Sequence, residues 1–381
     1  MMTAGNSVSL YIHVPFCTKK CPYCHFFVQP DSLENQELFL SALAKEWQLR
    51  SPLLKGKEIT SIYFGGGTPS LLPAKSLEKI LHWIQKGPAS LSPSCEITLE
   101  ANPETVSLQV MQEFSEVGIN RVSIGVQSFD DNLLRILGRT HDSDKAKKAI
   151  HTTYEAGISN LSIDLMYELP HQTLTQWQHS LSQVADLPIT HLSLYNLVFE
   201  PGTSFYKKSK VLSPSLPSEE DCLIMLQQAV KDLESYGLMR YEISAFAKPG
   251  YESLHNTGYW TARPFLGLGP SAFSYWEGRR FRNKAHLKKY SEMLHQNTLP
   301  EDFEEALPFE DKQKELLAVE LRLLQGVDLH LFEQKNGILC PSLHASLEKL
   351  LSKQWLKQEG SLLRLTEEGL LFYDSVASEM I

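Results

Sequence analysis

Apolar and polar positions along the first 200 residues follow two alternating periods. Short runs rich in apolar or β-branched residues recur at 9–14, 58–64, 95–101, 120–127, 160–167 and 191–197. Each is bounded by Gly, Pro, Asn or Ser, and several are nearly continuous in apolar residues, as strands covered on both faces should be. Between them, apolar residues return every three or four positions. That spacing predicts helices over 33–49, 74–85, 106–117, 144–156 and 174–185, the last three capped by Thr105, Ser143 and Thr173. Regular alternation of this kind implies right-handed crossover units and a parallel sheet, an α/β fold.

The chemically unusual residues fall at one end of each unit. Cys17, Cys21 and Cys24 follow the first strand, Gly65-Gly66-Gly67-Thr68-Pro69 follows the second, and Glu100 closes the third. Gln127 ends the fourth strand, Asp164 lies near the end of the fifth, and Tyr195-Asn196 end the sixth. In a barrel the C-terminal strand ends form one mouth, where such residues converge. An open doubly wound sheet would gather ligands at a switch point instead. A barrel or partial barrel is expected, because no single crevice accounts for all six strand ends.

Beyond residue 200 the pattern changes. A Pro/Ser/Lys-rich stretch, 201–218, reads as a loop over the mouth or a linker; a helix at 219–236 and an aromatic, Gly-rich stretch through Asn283 follow. The last portion predicts helices at 310–324 and 342–353, a hairpin of 355–357 with 362–365, and a final helix capped by Thr366 with Glu367 and Glu368 in its first turn. That order resembles a winged helix. The expected division is 1–217, 218–299 and 300–381.

Composition narrows the partners. The chain has 381 residues, 42% hydrophobic, with a formal net charge of −9. Residues 301–381 carry 16 Asp+Glu against 8 Lys+Arg, so the winged-helix-like part reads as a packing or partner module. A phosphate backbone calls for the opposite sign, and nucleic acid is not expected as a partner. No apolar run approaches the roughly 18 residues of a transmembrane segment. The start lacks the basic and apolar regions of a signal peptide, so a cytoplasmic protein is expected. The sequence does not give the oligomeric state.

Three cysteines spaced Cys17-x-x-x-Cys21-x-x-Cys24 carry the sharpest chemical signal. Three thiolates can hold a cubane iron–sulfur cluster by three of its irons, whereas electron-transfer clusters normally take four. An open metal position is where a substrate or cosubstrate binds. The alternative is a structural zinc with His25 or His13 as fourth ligand, although no second Cys/His pair follows at zinc-finger spacing. Gly65-Gly66-Gly67 can let backbone approach a ligand or simply make a tight turn. Glu100, Gln127, Arg139 and Asp164 add the donors and acceptors that a ribose and a charged amino acid require.

The run Tyr11-Ile-His-Val-Pro-Phe-Cys-Thr-Lys-Lys-Cys-Pro-Tyr-Cys24 resembles the signature of radical S-adenosylmethionine (SAM) proteins. With Gly65-Gly-Gly-Thr-Pro-Ser70, Glu100-Ala-Asn-Pro-Glu104, Ile124-Gly-Val-Gln-Ser-Phe129, Leu137-Gly-Arg-Thr-His141 and Asp164-Leu-Met-Tyr167, the chain resembles the oxygen-independent coproporphyrinogen III dehydrogenase-like family over almost its whole length. The resemblance implies a partial (β/α)6 barrel with a C-terminal α+β, winged-helix-like domain. It also implies a [4Fe–4S] cluster on Cys17, Cys21 and Cys24 with SAM at the open iron. It places Tyr11, Tyr23, Gly66, Gly67, Thr68 and Glu100 around SAM, with Gln127, Arg139 and Asp164 at positions that contact SAM, including a second SAM in the dehydrogenase.

Two branches of that family differ in ways visible here. The dehydrogenase has a fourth cysteine two residues after the third and a long N-terminal extension; this chain has Phe26 at that position and 16 residues before Cys17. Both departures favour a heme-chaperone branch, which implies heme as ligand and an acceptor hemoprotein as partner. The dehydrogenase, an oxidative decarboxylase, is the alternative. His255-Asn-Thr-Gly-Tyr-Trp260 resembles the HNxxYW element of the chaperone branch. His255 can be an axial heme ligand or can hydrogen-bond a loop beneath the barrel. Finally, Glu168 and His171 stand where the family usually has Gly, in backbone conformations such residues tolerate poorly.

Overall fold

The computed structural model describes residues 6–381. Six strands, β1 (Ser7–Val14), β2 (Glu58–Gly66), β3 (Ser90–Ala101), β4 (Arg121–Gln127), β5 (Asn160–Tyr167) and β6 (His191–Asn196), lie side by side in sequence order. Each pairs in parallel with the next. An order without reversal has no switch point, which leaves the C-terminal strand ends as the place for a site. The result is a partial (β/α)6 barrel, as expected.

Alternation along the strands divides the barrel into two environments. Leu10, Ile12, Ile62, Phe64, Leu99, Val122, Ile124, Ile163 and Leu192 join one buried core with residues of the helices outside. Those helices are α1 (Leu33–Arg50), α2 (Ala74–Gln85), α3 (Leu108–Glu116), α5 (Ser143–Glu155) and α6 (Leu174–Val184), while the short α4 (Asp131–Ile136) packs Leu133 into a smaller cluster with Met166, Leu169 and Phe205. The intervening positions are polar and buried, among them Ser9, His13, Ser61, Glu96, Thr98, Arg121, Ser123, Ser162, His191 and Ser193. Strands expected to be apolar on both faces are thus apolar outward and polar inward. Two caps also move: α3 is capped by Ser107 and α5 by Asp142, while Thr173 closes a capping box on α6. Thr105 instead bonds Ser70 in a short turn, at 2.6 Å.

Residues 218–299 do not form a separate connector. After α7 (Glu219–Ser235), strands β7 (Met239–Glu242) and β8 (Ala245–Ala247) extend the sheet antiparallel beyond β6. After α8 (Leu254–Trp260), β9 (Phe265–Leu268) pairs parallel with β1, and β10 (Phe273–Trp276), β11 (Arg279–Asn283) and β12 (Glu301–Ala306) continue outward antiparallel. Helix α9 (Leu287–His295) then packs its Leu287, Tyr290 and Leu294 into the barrel core. The boundary at 300 is likewise corrected, since β12 belongs to the large sheet. A second core follows, built by α10 (Phe309–Glu320), β13 (Val327–Asp328), α11 (Leu329–Asn336), α12 (Pro341–Ser352), β14 (Leu356–Glu359), β15 (Leu362–Leu365) and, after the short α13 (Glu367–Leu371), α14 (Tyr373–Met380). Its three strands, ordered β13-β15-β14, close the C-terminal α+β unit.

Candidate active site at the barrel mouth

The cysteine loop is held from several sides. Phe16–Cys17 pairs with Gln29–Pro30 as a two-residue ladder, and the Cys24 N–H donates to the Cys21 carbonyl at 3.1 Å. The Gly67 and Thr68 N–H groups donate to the Val14 and Phe16 carbonyls at 2.9 and 2.7 Å. A Cβ at Gly67 would come within 2.6 Å of the Phe16 carbonyl oxygen, and one at Gly66 within 2.4 Å of the His13 ring. Gly66 has a φ of 106°, which favours glycine. Gly67 therefore serves the close seating of the cysteine loop on β2, and Gly66 the close approach of β2 to His13 of β1. Gly138, at φ 72°, lets the turn before Arg139 approach Pro22, and the Phe205 N–H donates to the Pro22 carbonyl at 2.9 Å.

The three thiols open onto one cavity of about 490 Å³ at the C-terminal strand ends. Tyr23, Gly66, Gly67, Thr68, Glu100, Gln127, Arg139 and Asp164 share its wall with Cys17, Cys21 and Cys24. A residue that sequence reasoning did not single out ties them together. Asn102 donates to Thr68 Oγ1 at 2.9 Å and accepts from Arg139 Nη2 at 2.5 Å. Thr68 Oγ1 is 3.5 Å from Cys17 Sγ, while Arg139 Nη1 donates to Cys21 Sγ at 3.6 Å and Nη2 to the Gly125 carbonyl at 2.8 Å. Asn102 thus bridges the contacts of two cysteines; its signal was the Glu100-Ala-Asn-Pro-Glu104 run. Ser123, Met166 and Tyr195 also line the cavity.

Two buried carboxyls give the cavity its electrostatic character. Glu100 accepts from Tyr63 O–H at 2.8 Å and from Gly66 N–H at 3.0 Å, yet burial pushes its carboxyl up to about 7. Burial also lifts Asp164 to about 6, offset in part by Ser193 and by Ser123, whose hydroxyl donates at 3.3 Å. Such groups favour a cationic or hydroxyl-bearing ligand that restores the lost solvation. Below Arg139, burial opposes ionisation of Glu104, but bonds from His141 and Thr140 outweigh it and hold Glu104 at about 2.

The donor set fits a cubane cluster with one free iron better than a zinc ion. Cys95, Cys222 and Cys340 do not line the cavity. His13, pushed down to about 4 by burial, is occupied by Tyr11 O–H at 3.1 Å and by the Phe27 carbonyl at 2.9 Å, and so is not a fourth ligand. Among the described residues, no three His, Cys, Asp or Glu side chains gather closely enough to hold a single ion.

Tyr11 and His255 lie elsewhere. Tyr11 stacks on Tyr63 inside the barrel, their centroids 6.2 Å apart. His255, 1% exposed, bonds Ser61 Oγ through Nδ1 at 3.0 Å and the Tyr259 hydroxyl through Nε2 at 2.8 Å. Ser61 stands five residues before Gly66 on β2, about 16 Å from the mouth at the usual strand rise. Glu96 accepts from the Leu254 and His255 N–H groups at 3.0 Å each, closing the first turn of α8. Of the two roles the sequence left open for His255, the structure displays the second: both ring nitrogens are engaged in the barrel floor. Trp260 of the same motif lies under the Arg322 guanidinium at 4.2 Å, joining the floor to the C-terminal unit. Glu168 and His171 adopt φ of 61° and 63°, the left-handed conformation that favours Gly.

The fold and the cysteine loop at its mouth define a radical SAM protein. Residues 11–184 match the radical SAM superfamily and residues 307–372 the HemN C-terminal domain. The chain is 33% identical over 372 residues to the heme chaperone HemW of Bacillus subtilis, covering 97% of each. It is 32% identical to the heme chaperone HemW of Escherichia coli, again over 97% of each chain. The chain belongs to this HemW family. The solved coproporphyrinogen III oxidase HemN of Escherichia coli, a radical SAM enzyme, shares its fold over 99% of this chain and 91% of that one, with a TM-score of 0.86 at 24% identity.

Proposed function

We propose that the protein is a heme chaperone that carries a [4Fe–4S] cluster on Cys17, Cys21 and Cys24, binds SAM beside it, and passes heme to an acceptor hemoprotein. The observation that carries this reading is the convergence of the three thiols with Gly66, Thr68, Glu100, Arg139 and Asp164 on one cavity. A three-thiolate cubane with SAM on its open iron supplies one-electron chemistry. The chain's own residues set the conditions. Arg139 and Thr68 steady the sulfurs of Cys21 and Cys17. Glu100 offers a carboxylate to the ammonium of SAM, and Asp164 with Gln127 offers acceptors to its hydroxyls. A cytoplasmic setting, where thiols stay reduced, suits half-buried cysteine ligands that line an open cavity. Phe26, at the position of the dehydrogenase's fourth cysteine, and the names of the full-length relatives favour the carrier over the decarboxylase.

The test is anaerobic reconstitution followed by parallel assays for heme binding and coproporphyrinogen conversion. Heme uptake and transfer to an apo-hemoprotein, without decarboxylation, is the expected outcome. Turnover to protoporphyrinogen with SAM consumption would replace this reading.

A further inference from the structure

If heme is the cargo, its iron needs a ligand, and the barrel histidines are taken. His13, His141, His191 and His255 are all buried, and each has at least one ring nitrogen hydrogen-bonded to the surrounding protein. His25 differs. It follows Cys24 directly, is exposed, lines the same cavity as the three thiols, and stacks on Phe26 at 4.7 Å between centroids with 28° between planes.

The rim around His25 has the chemistry of a tetrapyrrole seat. Phe26, Tyr195 and Val198 line the cavity and are 49%, 46% and 52% exposed, apolar surface on the wall of one cavity that an apolar ligand would cover. Lys19 and Lys20 line the same cavity, and Lys20 Nζ is held beside the rim by the Phe26 carbonyl at 3.0 Å. An imidazole for iron, an aromatic plate for the macrocycle and two ammonium groups for two carboxylates match the three parts of heme. We propose that heme docks on the rim of the barrel mouth with His25 as an axial ligand, Phe26 against the ring and Lys19 and Lys20 toward the propionates. This rests on the heme-chaperone reading and moves the iron ligand from the HNxxYW motif to the cysteine loop.

The experiment titrates hemin into the full-length, cluster-reconstituted protein and follows the Soret band and the electron paramagnetic resonance of the ferric iron, with cluster iron counted in every sample. His25→Ala is expected to lose the imidazole-bound signature and to weaken binding about tenfold or more, the loss of roughly one good interaction. Added imidazole restores the signature. Phe26→Ala and the Lys19→Gln/Lys20→Gln pair weaken binding while leaving the ligation signature unchanged, and His255→Gln leaves the signature in place. A His25→Ala protein with parental cluster content and parental heme spectrum overturns the assignment, as does loss of the signature in His255→Gln. Should His25→Ala fail to load its cluster, parental affinity in both Phe26→Ala and the lysine pair overturns it equally. A parent chain that binds no heme at all refutes the carrier reading instead.

Discussion

Glu100 and Asp164 hold protons to higher pH in the folded chain than ordinary carboxyls do, because burial disfavours their charge. Between the ordinary carboxylate range and about pH 7 the folded state therefore binds more protons than the unfolded one. Stability falls as pH rises through that window. Glu100→Gln removes its share, so the unfolding midpoint of the cluster-free variant drops less between about pH 5 and about pH 8 than that of the parent. An unchanged slope would show that Glu100 is already ionised at low pH. A second single-residue effect is conformational. Glu168 and His171 sit at φ of 61° and 63°, and left-handed backbone costs a side-chain-bearing residue roughly 1 kcal/mol. Glu168→Gly and His171→Gly should each leave stability unchanged or raise it by up to about 1 kcal/mol in denaturant titration, part of the relief being lost to glycine's greater unfolded-state freedom. A loss beyond about 1 kcal/mol would mean that the side chains make contacts outweighing the strain.

The elements that matter most are β2 and the cysteine loop seated on it. Gly67→Ala would put a Cβ within 3 Å of the Phe16 and Val14 carbonyl oxygens, and backbone on that side cannot swing away as a side chain would. The substitution should cost about 1–3 kcal/mol, as overpacking does, and lower cluster loading; full loading at parental stability would show that the loop is not fixed by this contact. Strand and helix periods made β1–β6 and most outer helices legible in the sequence, since β5 is bounded as its apolar run predicts and α2 as its heptad-like spacing does. Charge-rich strands were not legible. β11 and β12 drew no strand assignment because Arg279, Arg280 and Arg282 interrupt any apolar alternation, yet they face Glu304, Glu305 and Asp302 across the ladder as ion pairs. Cap positions shifted because Ser107 and Asp142 compete with neighbours of equal capping chemistry.

At the scale of the molecule, one sheet supplies both the mouth and its support. β9–β12 brace one edge, β7 and β8 the other, and α8 closes the floor. Membership of the cavity was readable from residue type at strand ends, because parallel strands deliver those ends to one rim. His255 escaped the same logic: its motif lies outside the βα repeat, and only the tertiary fold shows that α8 carries it under the barrel. The C-terminal unit is clasped to that floor by Arg322, which pairs with Glu242 at 3.3 Å and lies over Trp260. No described helix is long and apolar enough to cross a membrane.

The central claim is that Cys17, Cys21 and Cys24, which share one cavity with Glu100 and Asp164, would hold an iron–sulfur cluster with one iron left open to SAM. Electron paramagnetic resonance of the reduced, reconstituted protein with and without SAM tests it most directly. The account predicts about four irons per chain, a spectrum that changes on adding SAM, and loss of the signal when Cys17, Cys21 or Cys24 is replaced by Ala. Bound zinc in place of iron, or a cluster whose spectrum ignores SAM, would contradict it.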